Sequence, residues 1–479
     1  MRCEFFIMTV YRLPVLAAFL IAQFFIPVSQ GYAETAPGTV HSRPGQAGPV
    51  HFFETDILNT DKRGRTTLAV SDSRGILDAL EEGDTDRLVQ IRDALDASAG
   101  PEPGFNVMRN ALCDAAIART RGDLPRSNRI IHDALRQAEP WGNPALSVNP
   151  FNFMLLTLFA GNLLLEDRST EWVQGKAYLD HFFRSPLKVH YGKPGLVFND
   201  LDQVMLSARQ DALPRLEARG PRHDTVVFNP FQTLVNGLPT ATAGARVTLD
   251  GAQENAVINT GTMLGSVPES LYQSHHWQVI GTVSPLHDDT ITSSKALLVL
   301  VPSLTLGHTT FTNQIMLVTK SSHVVIGLQS LGVLSHITIT DHDMSFGPDA
   351  PFSCKRHAAL RSDISGLQAG LLLPVSYDGR TRKAVMVTGD NTPEPLVIPV
   401  SSLSGLRGTP IHQNFETGAG MIGENAIIRH ATLHIDGHTV NASIRYRVDD
   451  TTQPPVLTMS ALEGAKFSFD LHEGVACLD

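Results

Sequence analysis

Two short stretches of this chain are built alike, Asn259-Thr260-Gly261-Thr262 and Val387-Thr388-Gly389-Asp390, and their threonines lie 128 residues apart. Each ends an apolar run, the kind of place where a strand delivers a polar side chain to a tight turn. The acids that could serve such turns are Asp390, three residues past Val387, and the pair Asp288-Asp289 farther along the chain from Asn259. Two carboxylates about 3 Å apart cannot both ionise, so they share one proton and work as a general acid–base pair. Other chemistries find less support. Ser266 and Ser330 have no nucleophile-elbow context. His275 and His276 are adjacent, so on a strand they would point to opposite faces and could not ligate one ion. No Cys or His spacing resembles a zinc site, and neither a metal nor an organic cofactor is expected.

The elements around the two stretches form an internal repeat. Past Pro221, Val, Ile, Thr and Leu alternate between glycine-centred turns, which predicts antiparallel sheet to the end. In the first copy, strands at 245–249 and 255–258 flank the turn Asp250-Gly251 and run into Asn259. A proline-containing segment, 266–271, follows, then a hairpin over 281–291 and a strand over 299–306 that ends at Gly307. The copy closes on Val324-Val325-Ile326-Gly327-Leu328 and a strand pair, 337–339 and 344–346, with Asp341 and Asp343 in its turn. In the second copy, 373–377 and Asp378-Gly379 precede 384–387. Pro399 and Leu403 answer Pro268 and Leu271, and 431–437 answers 304–307. The run 456–462 answers the segment around Gly327, with Thr458 at the glycine position.

This order resembles one lobe of the retropepsin-like aspartic peptidases, given twice. In that family an apolar strand delivers Asp-Thr-Gly, then come a proline-containing segment, a flap hairpin, and an apolar-apolar-Gly segment crossing behind the catalytic loop. The resemblance implies two fused lobes in a pepsin-like bilobal arrangement. It also implies that Thr260 and Thr388 interlock across the loops, that Gly261 and Gly389 allow the tight turns, and that Asp288 and Asp289 sit at a flap tip.

The family's two catalytic aspartates fall at Asn259 and Val387. An amide accepts no proton at accessible pH and an isopropyl group offers nothing, so no dyad remains to activate water. Loss of the general base alone removes about 10²–10⁴-fold in rate. The competing reading has a displaced acid, with Asp390 the first candidate. The plainer reading makes Asp390 a solvated turn residue and Asp288-Asp289 a polar hairpin tip.

The rest of the chain sets compartment and context. Arg2 and Arg12 precede an apolar run from Leu13 to Val28, and Gly31 and Ala33 fit a signal-peptidase site. Residues 1–33 therefore read as an export signal, placing the protein in the periplasm or outside the cell. Residues 34–71, rich in Pro, Gly, Thr and Ser, read as a flexible leader. A helical, repeat-like domain is expected over 72–222, with helices near 150–166, 169–183 and 197–212. Its stretch 111–139 loosely resembles a tetratricopeptide unit. The apolar run 151–165 carries Asn152 and Asn162 and is shorter than the roughly 20 residues of a spanning helix, so it reads as a core helix. Cys3 leaves with the signal, and a Cys354–Cys477 bridge is expected with Cys113 buried and reduced. The net charge of -10 and pI near 6.0 argue against a nucleic-acid partner.

The fold class expected is thus multidomain α plus all-β: a helical domain followed by lobes over 223–350 and 351–479. The function expected is an exported, catalytically inactive, aspartic-peptidase-like protein that binds extended peptide or protein segments in the inter-lobe cleft. Thr260, Gly261, Thr388 and Gly389 would form the floor, and the helical domain would offer a second protein-contact surface. No membrane role is expected once the signal is cleaved. The alternatives are an active endopeptidase using Asp390, and a structural or assembly protein with a closed cleft.

Overall fold

The computed structural model describes residues 58–60, 66–68, 71–97, 103–138, 150–179, 204–206, 213–229, 234–235, 238–239, 243–283, 296–417, 420–449 and 453–479. The export signal therefore lies outside the described residues. Within the segment expected to be a flexible leader, β1 (Leu58–Thr60) and β2 (Thr66–Leu68) form an antiparallel pair.

Six helices follow: α1 (Ser71–Glu82), α2 (Thr85–Ala97), α3 (Pro103–Thr120), α4 (Leu124–Ala138), α5 (Pro150–Leu165) and α6 (Ser169–Leu179). They fold as three consecutive hairpins. The first two turn on Gly83-Asp84 and Gly122-Asp123, where the glycines take φ of 66° and 73°. The aspartates then cap the next helix, Asp84 accepting from the Arg87 N–H and Asp123 from the Arg126 N–H, both at 3.0 Å. α5 is buried, with Leu155, Leu158 and Leu164 fully enclosed, and no described helix is long and apolar enough to cross a membrane.

The third hairpin turns on Asp167, a non-glycine residue at φ 55°. Its carboxylate is buried and neither oxygen has a hydrogen-bond partner. Burial pushes its pKa up to about 7 from 3.8; Arg215 opposes this and Glu171 adds to it. The folded state thus holds this proton more tightly than the unfolded chain. Stability is lost as pH rises from 3.8 through about 7. Asp167→Asn keeps the left-handed backbone at low cost and removes the charge. Urea unfolding should show it more stable than wild type by about 2 kcal/mol at pH 8 and no more stable at pH 4.

The expected helix at 197–212 is contradicted by a strand, β3 (Val204–Leu206), paired antiparallel with Val283, Thr282 and Gly281. A three-residue apolar run gains more from that distant sheet edge than from its own helical propensity. The chain then gives β4 (Glu217–Arg219), β5 (Asp224–Val227) and the short pair β6 (Leu234–Val235) and β7 (Leu238–Pro239).

The first copy of the repeat comprises β8 (Gly244–Leu249), β9 (Ala252–Ile258), β10 (Gly265–Pro268), α7 (Glu269–His275), β11 (Gln278–Val283), β12 (Ala296–Leu306), β13 (Thr309–Thr319), β14 (Val324–Ile326), α8 (Leu328–Gly332), β15 (Ile337–Ile339) and β16 (Asp343–Phe346). Its sheet runs β3-β11-β12-β8-β9-β14-β10-β13-β4, and a further β12–β13 pairing curls it on itself. His275 and His276 lie on no strand: His275 ends α7, and His276, at φ 54°, is its left-handed cap.

The second copy comprises β17 (Ala359–Ser362), β18 (Ala369–Tyr377), β19 (Arg380–Val387), β20 (Leu396–Val400), β21 (Thr409–Thr417), β22 (Gly420–Ile435), β23 (His438–Val448) and β24 (Val456–Thr458), then a 3₁₀ turn, Met459–Leu462. The unusual pairings recur. β14 runs parallel to β9 and antiparallel to β10, as β24 does to β19 and β20. The β10–β13 and β20–β23 pairs are both parallel. Asp250-Gly251 and Asp378-Gly379 both turn with positive φ.

A third sheet joins the copies in the order β26-β25-β15-β16-β5, where β25 is Phe467–Asp470 and β26 Val475–Leu478. At its centre Ile337 faces Phe469 and Ile339 faces Phe467, all fully buried. Cys477, on β26, is disulfide-bonded to Cys354, and Cys113 is free and buried. One hydrophobic core runs continuously from the helices through both copies.

The helices are fastened to the second copy by Arg119, which is fully buried. Nε donates to Asn162 Oδ1 (2.7 Å), Nη1 to Ser362 Oγ (3.1 Å) and the Asp363 carbonyl (2.8 Å), and Nη2 to the Leu158 carbonyl (2.5 Å). Gly161 lets α5 approach closely. A Cβ there would lie 2.6 Å from Arg119 Nη2 and 2.7 Å from the Ile364 carbonyl.

Candidate functional site

β9 and β19 each end at a buried threonine, and the two threonines meet. The Thr260 N–H donates to Thr388 Oγ1 and the Thr388 N–H to Thr260 Oγ1, both at 3.2 Å. Each hydroxyl then donates onward across the junction, Thr260 to the Met386 carbonyl (2.6 Å) and Thr388 to the Ile258 carbonyl (2.7 Å). Four bonds thus lock two loops related by the repeat.

The residues ahead of the threonines each press on the opposite loop. A Cβ on Gly261 would come within 2.7 Å of both Val387 methyls, and one on Gly389 within 2.5 Å of Asn259 Cγ. Both glycines are therefore required by close approach. Asn259 Oδ1 accepts from the Gly261 N–H at 2.9 Å, so the amide is turned back into its own loop. Asn259 ends in an amide and Val387 in an isopropyl group, and neither side chain takes a proton from water.

Asp390 belongs to its own turn. Its N–H bonds the Val387 carbonyl at 3.2 Å, and Oδ1 accepts from the Thr392 N–H at 2.9 Å. Asp288 and Asp289 lie outside the described residues. The described strands on either side of them, β11 and β12, pair antiparallel, with Gln278 facing Leu300 and Val283 facing Ala296. Asp343 closes the β15–β16 turn by accepting from Thr340 Oγ1 at 2.8 Å.

The second copy carries a longer hairpin, β21–β22, paired from Thr409↔Ile428 to Thr417↔Gly420. Sequence reading missed it. Its base is held by Arg445, which is buried and bonds Glu394 (2.7 Å), Glu424 (3.1 Å) and Gln413 (3.1 Å). At Thr458, where the first copy has Gly327, the hydroxyl donates to the Glu394 carbonyl at 2.9 Å. In the first copy a Cβ on Gly327 would strike the Met263 carbonyl at 2.6 Å.

A pocket of about 190 Å³ opens between Val387 and Gly261. Val385, Val397 and Val456, side by side on β19, β20 and β24, form an apolar floor with Val387. Arg361, Arg447, Asp449 and Gln453 make the polar part of its wall. The Arg447 guanidinium is held by Asp449 at 2.9 Å. Burial lowers the pKa of Arg361, opposed by Glu81 and Asp363.

One group of His, Asp and Glu side chains clusters among the described residues, His336, Asp470 and Glu473. Asp470 is a backbone cap there: Oδ2 accepts from the His336 N–H and Oδ1 from the N–H groups of His472 and Glu473.

No family model matches this chain, and no curated protein matches it. Among solved structures it is similar to a retropepsin-like aspartic protease from Rickettsia conorii, at 12% identity over 28% of this chain and 95% of that chain, with a TM-score of 0.22.

Proposed function

We propose that this chain is an exported, non-catalytic, aspartic-peptidase-like protein that holds extended peptide or protein segments in the cleft between two β lobes. One observation carries the reading. The reciprocal Thr260–Thr388 bonds keep the two loops interlocked, while Asn259 and Val387 stand where a pair of acids would act. A loop pair maintained without its reactive groups fits a retained binding surface better than a retained reaction. The third sheet, built from both copies, supports a single-chain pepsin-like arrangement of the lobes. The open pocket at Val387 favours a cleft that receives a ligand over a closed, purely structural one.

Recognition in this reading is strand addition. An extended segment bonds through its main chain and places alternate side chains in pockets, and no catalytic acid is needed. The periplasm or the extracellular space is the compartment proposed, with the helical part free to meet a second protein.

Immobilised mature protein should retain a subset of unstructured peptides from a diverse library, at micromolar affinity, and release them intact. Gly389→Val should weaken retention at least tenfold, because added methyls collide with Asn259 and part the loops. Folded wild-type protein that retains no peptide would remove the reading.

A further inference from the structure

We infer that the pocket beside Val387 is a carboxylate-receiving subsite, taking one residue that presents a free carboxylate beside aliphatic carbons: an apolar C-terminal residue or a glutamate side chain. The inference rests on the cleft reading above and names what one position of the bound segment must look like. At about 190 Å³ the pocket is smaller than the site of a drug-sized ligand and suits a single residue.

Its two halves ask for different chemistry. The valine floor is paired strand to strand, Val385 opposite Val456 and Val456 opposite Val397, and offers only methyl groups. The wall carries two guanidiniums against one carboxylate. Arg447 is satisfied, with Nε and Nη2 at 3.0 and 2.9 Å from Asp449 Oδ2. Arg361 is not. Its Nη1 donates to Gln453 Oε1 at 2.8 Å, a neutral acceptor, and among the described residues no carboxylate is ion-paired with it. Glu81 and Asp363 act on the guanidinium from beyond ion-pairing distance, and the Asp363 carboxylate is spent on the Ser365 hydroxyl and the Gln368 N–H.

A guanidinium has five N–H donors. One that is partly buried, bonded to a neutral partner and lining an open pocket is a cation prepared for an anion. A carboxylate reaching it would make a charge-assisted, bidentate contact, while the adjoining apolar carbons cover the valines. Asp449 does not compete, because Arg447 already holds it.

The test uses full-length mature protein and calorimetric titration of matched pairs. N-acetyl-leucine is compared with N-acetyl-leucinamide, and an extended pentapeptide with central Glu is compared with its Gln counterpart. At least one acid should bind tenfold or more tighter than its uncharged twin, and 0.5 M salt should erode that preference. Arg361→Gln should reduce the acid to the affinity of the amide and leave the amide unchanged. Arg361→Lys, which keeps charge without the fork, should fall between. Equal binding of acids and amides by wild-type protein overturns the subsite and leaves the cleft reading standing. N-acetyl-leucine binding without binding of either pentapeptide overturns the cleft reading alone. Silence from all four probes overturns both.

Discussion

Replacing Arg119 with alanine is expected to cost about 5 kcal/mol in urea unfolding, the largest single-residue effect in the protein. The change removes a fully buried cation that bonds two helices and the turn after β17 together. It leaves the Ile364 carbonyl and the Asn162 amide oxygen without the Arg119 donor and takes one donor each from the Leu158 and Asp363 carbonyls, the latter keeping the Gly366 N–H; each orphaned buried acceptor costs about 1–3 kcal/mol. It also removes a cation that favours ionised Asp363, when burial already raises that carboxyl's pKa. Arg119→Lys should recover little, because one ammonium cannot span acceptors arranged around a planar fork. Proteolysis should report where the damage falls: new cleavage at 362–368 before any within β8–β13.

Thr260→Val and Thr388→Val should each cost about 3 kcal/mol, and the pair together only about 4. Each substitution deletes one hydroxyl that both accepts and donates across the junction. It strands a buried N–H and a carbonyl, both on the opposite loop: those of Thr388 and Met386 for Thr260→Val, and those of Thr260 and Ile258 for Thr388→Val. Less than additive loss is expected because the four bonds form one network: the first substitution already loosens the partners of the second. Serine at either position keeps the hydroxyl and should cost about 1 kcal/mol. Equal penalties at the two positions are the signature of an interlock; a large penalty at one and none at the other would mean that the loops do not depend on each other.

The site was more legible than its surroundings. The two Thr-Gly turns, their 128-residue spacing and the order of strands around them come straight from the alternation of apolar and turn residues. These are local signals, and the β-pairings confirm the repeat they spell. The expected helix at 197–212 failed because Val204–Leu206 is a short apolar run whose fate is set by a distant sheet edge, Val204 facing Val283 79 residues away. Arg119 was unreadable for the same reason: its partners lie up to 245 residues off. The β21–β22 hairpin was hidden by its own polarity. Its charged and amide residues read as surface, yet Glu424 and Gln413 meet the buried Arg445. Thr458 looked like a defect in the second copy, whereas its hydroxyl supplies a bond that the glycine at the same point of the first copy cannot.

The central claim is that the interlocked loops have lost their chemistry and kept their shape. Incubating the mature protein with a diverse unfolded-peptide library from pH 3 to 7, with and without a pepstatin-type inhibitor and alongside Asp390→Asn, tests it most directly. Mass spectrometry should find the library uncut at every pH by wild type and variant alike, while folded protein still retains peptides. Cleavage that the inhibitor stops and Asp390→Asn abolishes would contradict the claim and make Asp390 the acid of a working peptidase.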